Sequence, residues 1–121
     1  MNQGYDIWLV NNRGNKYSRT HIQPDIKEEE FYDYSFQDFG LKDLPAVYKF
    51  IIKTSAPKKI HYIGNHQGNT QMFVALSDPL TSKFISDNTS TFIALSPMLY
   101  RNKITAFPLL VKLLRNSGWA Y

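Results

Sequence analysis

The chain has 121 residues and no cysteine, so neither a disulfide framework nor a thiolate metal site can be built from it. It has no apolar run approaching the roughly 20 residues that span a bilayer. Its glycines at 64 and 68 match neither the G-x-G-x-x-G nor the P-loop spacing, which excludes a phosphate cradle of those kinds. Repeats and low-complexity segments are absent. No block of one charge dominates: the net charge is +4, with Lys58-Lys59 and Arg101/Lys103 opposed by Glu28-Glu29-Glu30. The basic residues are scattered and no nucleic-acid module goes with them, so they are expected to be solvated surface and not a nucleic-acid interface. Gly4-Tyr5-Asp6-Ile7-Trp8 follows Met1 too closely for a signal peptide in these residues, and the sequence assigns no compartment.

What is present describes a globular chain. The hydrophobic fraction is 43% and the aromatic fraction 15%, enough for one domain with a modest core. Tyr5–Val10 mixes aromatic and β-branched residues before a turn cluster, Asn11-Asn12-Arg13-Gly14-Asn15, and predicts a buried strand followed by a loop. Residues 16–34, with Pro24 and the acidic run, predict a surface excursion. From Ser35, a plausible N-cap, apolar residues recur at helical spacing through Ile52. Pro45 inside that run predicts a helix restart with the proline in its first turn. Residues 59–63 predict a second strand, 67–77 a helix, 79–86 a short helix, and 91–95 a third strand. The apolar run Phe107–Leu114 predicts a further helix. Strands alternating with helices imply parallel pairing and right-handed crossovers, hence an α/β fold with about three parallel strands and flanking helices.

The most informative segment is Ile60-His61-Tyr62-Ile63-Gly64-Asn65-His66-Gln67-Gly68. A short apolar strand runs into Gly-x-x-x-Gly and then a helix-compatible stretch, the layout of a nucleophile elbow. The motif is G-x-S-x-G, and its sharp turn lifts the middle side chain above the sheet. Here the middle residue is His66, flanked by Asn65 and Gln67.

Together with this segment, Gly4-Tyr5-Asp6-Ile7-Trp8-Leu9, Asn12-Arg13-Gly14-Asn15, Asp43-Leu44-Pro45-Ala46 and Ala94-Leu95-Ser96-Pro97 resemble the acid lipase family of α/β-hydrolases, which includes the gastric and lysosomal acid lipases. The resemblance covers residues 4–100. It implies a central part of a lipase-like domain over 1–100 and the start of a cap-like helical region over 101–121. Family members hydrolyse lipid esters, such as triacylglycerols and cholesteryl esters, with a Ser-Asp-His triad and no cofactor; they are usually secreted or lysosomal. Their elbow reads Gly-His-Ser-Gln-Gly, so Asn65 stands at the histidine and His66 at the serine. The resemblance assigns Gln67 the backbone N–H of the oxyanion hole. The acid and base of such a triad follow the elbow, whereas the histidines here are His21, His61 and His66.

These substitutions predict a catalytically inactive lipase-like fragment, a pseudoenzyme or a truncated product. An enzyme deprived of a triad member keeps only a residual rate, roughly 10³–10⁴ over water. The alternatives are a docking subunit of a larger assembly and a residual esterase completed by another chain. The ligand class implied, by resemblance alone, is a lipid ester. His61 and His66 lack a nearby carboxylate at ligand spacing, so no metal site is expected. Ser18, His21 and Asp25 form a catalytic-looking set on an unsupported loop and are not expected to work together. Phe31, Tyr32, Tyr34, Phe36 and Phe39 are expected to pack in the core or against a partner. In the family's sheet a further strand normally lies between those matching Tyr5–Val10 and Lys59–Ile63. Its absence would leave a gap of about 10 Å, so a rearranged first strand, a protein partner completing the sheet, or an unstable fragment is expected.

Overall fold

In the computed structural model, residues 3–97 are described. The expected helix over Phe107–Leu114 and the cap-like region 101–121 lie outside them. The element order is α1 (Glu28–Phe31), α2 (Phe36–Asp38), a π-helical turn (Phe39–Asp43), α3 (Leu44–Ser55), β1 (Ile60–Asn65), α4 (Gln67–Ser77), α5 (Ser82–Asn88) and β2 (Thr89–Leu95).

Local chemistry accounts for most boundaries. Ser35 accepts from the Gln37 N–H at 3.2 Å, and Asp38 accepts from the Ser35 N–H at 2.9 Å, a reciprocal capping box that satisfies two otherwise orphaned donors. Pro45 lies in the first turn of α3, where its missing N–H costs nothing. Ala56 closes α3 in the left-handed region and donates to Ile52 O at 3.0 Å.

β1 and β2 form a two-stranded parallel sheet, with Tyr62 opposite Phe92 and Ile63 opposite Ile93. Helices α3, α4 and α5 pack on one face. The core there is Leu44, Tyr48, Met72, Ala75 and Ile85, ringed by Ile60, Tyr62, Phe84 and Phe92. Leu44, Tyr48 and Ile51 recur every three to four residues, which places them on one stripe of α3. Burying each large side chain of this kind contributes roughly 1.5–3 kcal/mol. Tyr48 OH bonds Thr89 Oγ1 at 2.9 Å, and Thr89 Oγ1 donates to Ile85 O at 2.7 Å. That chain of bonds ties α3 to the α5–β2 junction.

The α/β class with a parallel sheet is as expected, and the second and third expected strands form as β1 and β2; the first does not. Tyr5–Val10 forms no ladder and is exposed throughout, so the expected buried strand is corrected to an unpaired segment. The physical reason is the one anticipated from the sheet order: no described strand lies beside it to take its N–H and C=O groups. Between it and β1 lies a broad cleft of ≈ 2740 Å³, lined on one side by Tyr5–Val10 and on the other by Ile60, His61, Tyr62 and Ile63. The excursion over 16–34 is irregular except for the single turn of α1. No helix among the described residues is long and apolar enough to cross a membrane.

Candidate functional site

The site forms where β1 gives way to α4. Gly64 is the last buried residue of the strand. A Cβ built on it would lie 2.5 Å from Asn69 Oδ1 and 3.0 Å from Asn69 N, so only glycine lets the first turn of α4 approach this closely. His66 then takes φ 47°, ψ −109°, a conformation L-residues seldom adopt and one that is concentrated at functional turns. Its side chain caps nothing and is exposed. Its N–H donates to Leu95 O at 3.2 Å and its C=O accepts from Asn69 N at 3.0 Å. Asn65 is exposed beside it, and Gln67 opens α4, where a helix leaves its amides without intrahelical acceptors. The cleft reaches Asn65, Gln67 and Gly68.

Gly68 plays a smaller part than the motif suggests. A Cβ there would stand 3.6 Å from Tyr62 OH, an ordinary contact. Its carbonyl is what matters, accepting from Tyr62 OH at 2.8 Å.

Beneath the turn lies a polar network that sequence reasoning missed. Tyr62 OH accepts from Gln71 Nε2 at 2.6 Å, and Asn69 Nδ2 donates to Leu95 O at 2.7 Å. Burial pushes the Tyr62 hydroxyl pKa up, with the Gln71 bond acting the other way, so the phenol stays protonated and donating. Asn69 and Gln71 are both buried, and Asn69 Oδ1 and Gln71 Oε1 have no partner among the described residues. The available signal was their spacing: Asn69 is three residues before Met72 and Gln71 four before Ala75, which puts both amides on the core face of α4.

The other motif residues serve as anchors. Arg13 Nε donates to Asp43 Oδ1 at 2.8 Å, Arg13 Nη2 bonds the same oxygen, and the Arg13 N–H reaches Asp43 Oδ2 at 3.3 Å. Asp43 thereby holds the Arg13 guanidinium above its ordinary pKa. Asn12-Arg13-Gly14-Asn15 and Asp43-Leu44-Pro45-Ala46, distant in sequence, are thus two sides of one contact.

The remaining candidates do not converge. His61 is exposed on β1. His21 Nδ1 accepts from Gln23 N at 3.0 Å, and no described bond joins it to Ser18 or Asp25. Among the described residues no group of His, Cys, Asp or Glu is placed to hold a metal. The aromatic set forms a run of ring contacts from Phe31 through Tyr32 and Tyr34 to Phe39. Phe39 is buried, while Phe36 is half exposed.

A strand, a sharp positive-φ turn and a helix, set beside a parallel neighbouring strand, agree with the family model that matches residues 1–116, described as the alpha/beta hydrolase fold. The chain belongs to the α/β-hydrolase fold family. It is 46% identical over 100 residues to a probable lipase of Schizosaccharomyces pombe, covering 82% of this chain and 21% of that protein. It is 40% identical over 95 residues to rat gastric triacylglycerol lipase and 39% to the human one, in each case covering 78% of this chain and 23% of the relative. The acid-lipase-like resemblance is borne out. This α/β-hydrolase chain spans about a fifth of the length of the curated relatives it matches. No solved structure matches it.

Proposed function

We propose that this chain is the sheet-and-elbow portion of a lipase-like α/β-hydrolase in which His66 occupies the nucleophile's place and Gln67 that of the oxyanion-hole amide, and that it does not hydrolyse lipid esters as it stands. The observation carrying this is His66 itself. It sits at φ 47°, ψ −109° between β1 and α4, the apex from which an elbow projects its attacking side chain. An imidazole there has no hydroxyl to acylate. Its side chain also makes no described hydrogen bond or ion pair with a carboxylate that would orient a tautomer, as nucleophilic catalysis by a histidine would need. The ligand class, a lipid ester, follows from the relatives' names, lipase and triacylglycerol lipase.

Turnover of a short-chain nitrophenyl ester by the purified chain tests this. The expected rate is no greater than that of free imidazole, and a serine-directed phosphonate leaves the protein unlabelled. His66→Ser is expected to bring no gain, because no histidine follows position 66 in these 121 residues to act as base. Vigorous, phosphonate-sensitive hydrolysis by either protein would refute the assignment.

A further inference from the structure

Asn69 is fully buried on the helix face it shares with Met72 and Ala75. Its Oδ1 has no hydrogen-bond partner and lies where a Cβ on Gly64 would meet it at 2.5 Å. A buried acceptor left unpaired weakens the fold, so its retention calls for a reason. An apolar side chain of similar size would fill the space without that cost. The reason lies in what the rest of Asn69 touches. Its Nδ2 donates to Leu95 O at 2.7 Å, and its backbone N–H donates to His66 O at 3.0 Å. Leu95 O accepts in turn from the His66 N–H at 3.2 Å. Three bonds thus close a ring through His66, Asn69 and Leu95, with both polar backbone groups of His66 inside it.

The ring matters because the apex does not hold itself. A backbone at φ 47°, ψ −109° persists only where its surroundings over-determine it, and the His66 side chain makes no capping bond. Register pairs Asn65 with Leu95, so the bond from His66 to Leu95 is the first step beyond β1. Leu95 is also the last residue of β2, and Ser96 after it takes φ 48°. Two strand ends therefore turn off side by side around one shared carbonyl. The backbone bond to His66 O would survive any substitution at 69; only the asparagine amide ties α4 to that carbonyl.

We propose that Asn69 is the positioning residue of this site: by binding the Leu95 carbonyl it fixes the direction in which the apex side chain leaves the sheet. It acts through His66 and touches no ligand. The assignment rests on the reading of His66 as the apex residue. Ester turnover by the chain, which would refute inactivity, would leave it standing.

Asn69→Leu removes the side-chain bond and the orphaned acceptor together, while Leu95 O keeps the His66 N–H as donor. Nuclear magnetic resonance of the full chain then separates aim from stability. The His66 amide is expected to exchange with solvent about tenfold faster than in the parent, with the amides of Tyr62, Ile63 and Met72 unchanged. The imidazole Hε1 line of His66 should move toward that of free histidine, with the lines of His21 and His61 staying in place as internal references. A His66 amide and imidazole indifferent to the substitution would overturn the proposal. So would a uniform rise in exchange across β1, α4 and β2, since Asn69 would then support the fold and not the apex. Should Asn69→Leu fail to fold, the unmodified chain decides. A coupling through the hydrogen bond from Asn69 Nδ2 to the Leu95 carbonyl carbon is expected there, and its absence would also overturn the proposal.

Discussion

At the scale of the residue, the elbow separates what a motif shows from what it conceals. Gly64 and Gly68 are equivalent letters in Gly-x-x-x-Gly, yet only the first is required by space. Gly64→Ala drives a methyl to within 2.5 Å of Asn69 Oδ1 and is expected to cost about 1–3 kcal/mol in urea unfolding. Gly68→Ala, in open contact and inside a helix, should be neutral or stabilise by up to about 1 kcal/mol. His66 holds a backbone conformation more natural to glycine, so His66→Gly is expected to raise stability by about 1 kcal/mol, read as a higher urea midpoint. A large drop in His66→Gly would mean that the imidazole itself holds the turn, and one in Gly68→Ala that the added methyl displaces the Tyr62 hydroxyl 3.6 Å away. The turn was legible in the sequence because glycine spacing is a local signal. For Asn69 and Gln71 the spacing to Met72 and Ala75 marked only the helix face; their bonds were not legible, because Leu95 and Tyr62 arrive from other elements.

At the scale of the element, caps and prolines were legible and helix continuity was not. Ser35 caps and Pro45 opens α3 as their chemistry dictates, but the join between them is a π-helical turn, Phe39–Asp43. A Cβ on Gly40 would meet Val74 Cβ at 2.6 Å, so this turn is shaped by its approach to α4, which no local pattern encodes. Ser35→Ala is expected to destabilise by about 1 kcal/mol. Asp38 gives a pH signature. Its bonds to Lys42 and then to the Ser35 N–H lower its carboxyl pKa below the ordinary 3.8. A folded-state pKa below the unfolded one contributes stability that is fully present above about pH 4 to 5 and disappears as pH falls through the lower value. The melting temperature of Asp38→Asn should therefore lie below that of the parent at neutral pH, and the gap should narrow as pH falls below the ordinary carboxylate range. A gap that holds constant with pH would assign the effect to something other than the carboxylate.

At the scale of the whole molecule, the strand count was the main error. Composition marked Tyr5–Val10 as a strand, and composition was a fair guide to its alternating exposure. Yet a strand exists only when another takes its hydrogen bonds, and the neighbour is a property of topology, not of six residues. The helical layer over the other face was legible because each helix announces its apolar stripe and Met72, Ala75 and Ile85 meet there. Met72→Ala at this fully buried position should cost about 2–5 kcal/mol, measured by denaturant titration; a loss under about 1 kcal/mol would show the layer collapsing around the void. One further consequence follows from the anchors at each end of the first segment, Asp6 on Ser55 and Arg13 on Asp43. A free polypeptide that docks as a strand must surrender its backbone entropy at the moment of contact, about 1–2 kcal/mol per residue. Tethered at both ends, residues 6 to 13 have given up much of that freedom during folding, so whatever meets them encounters a template already set.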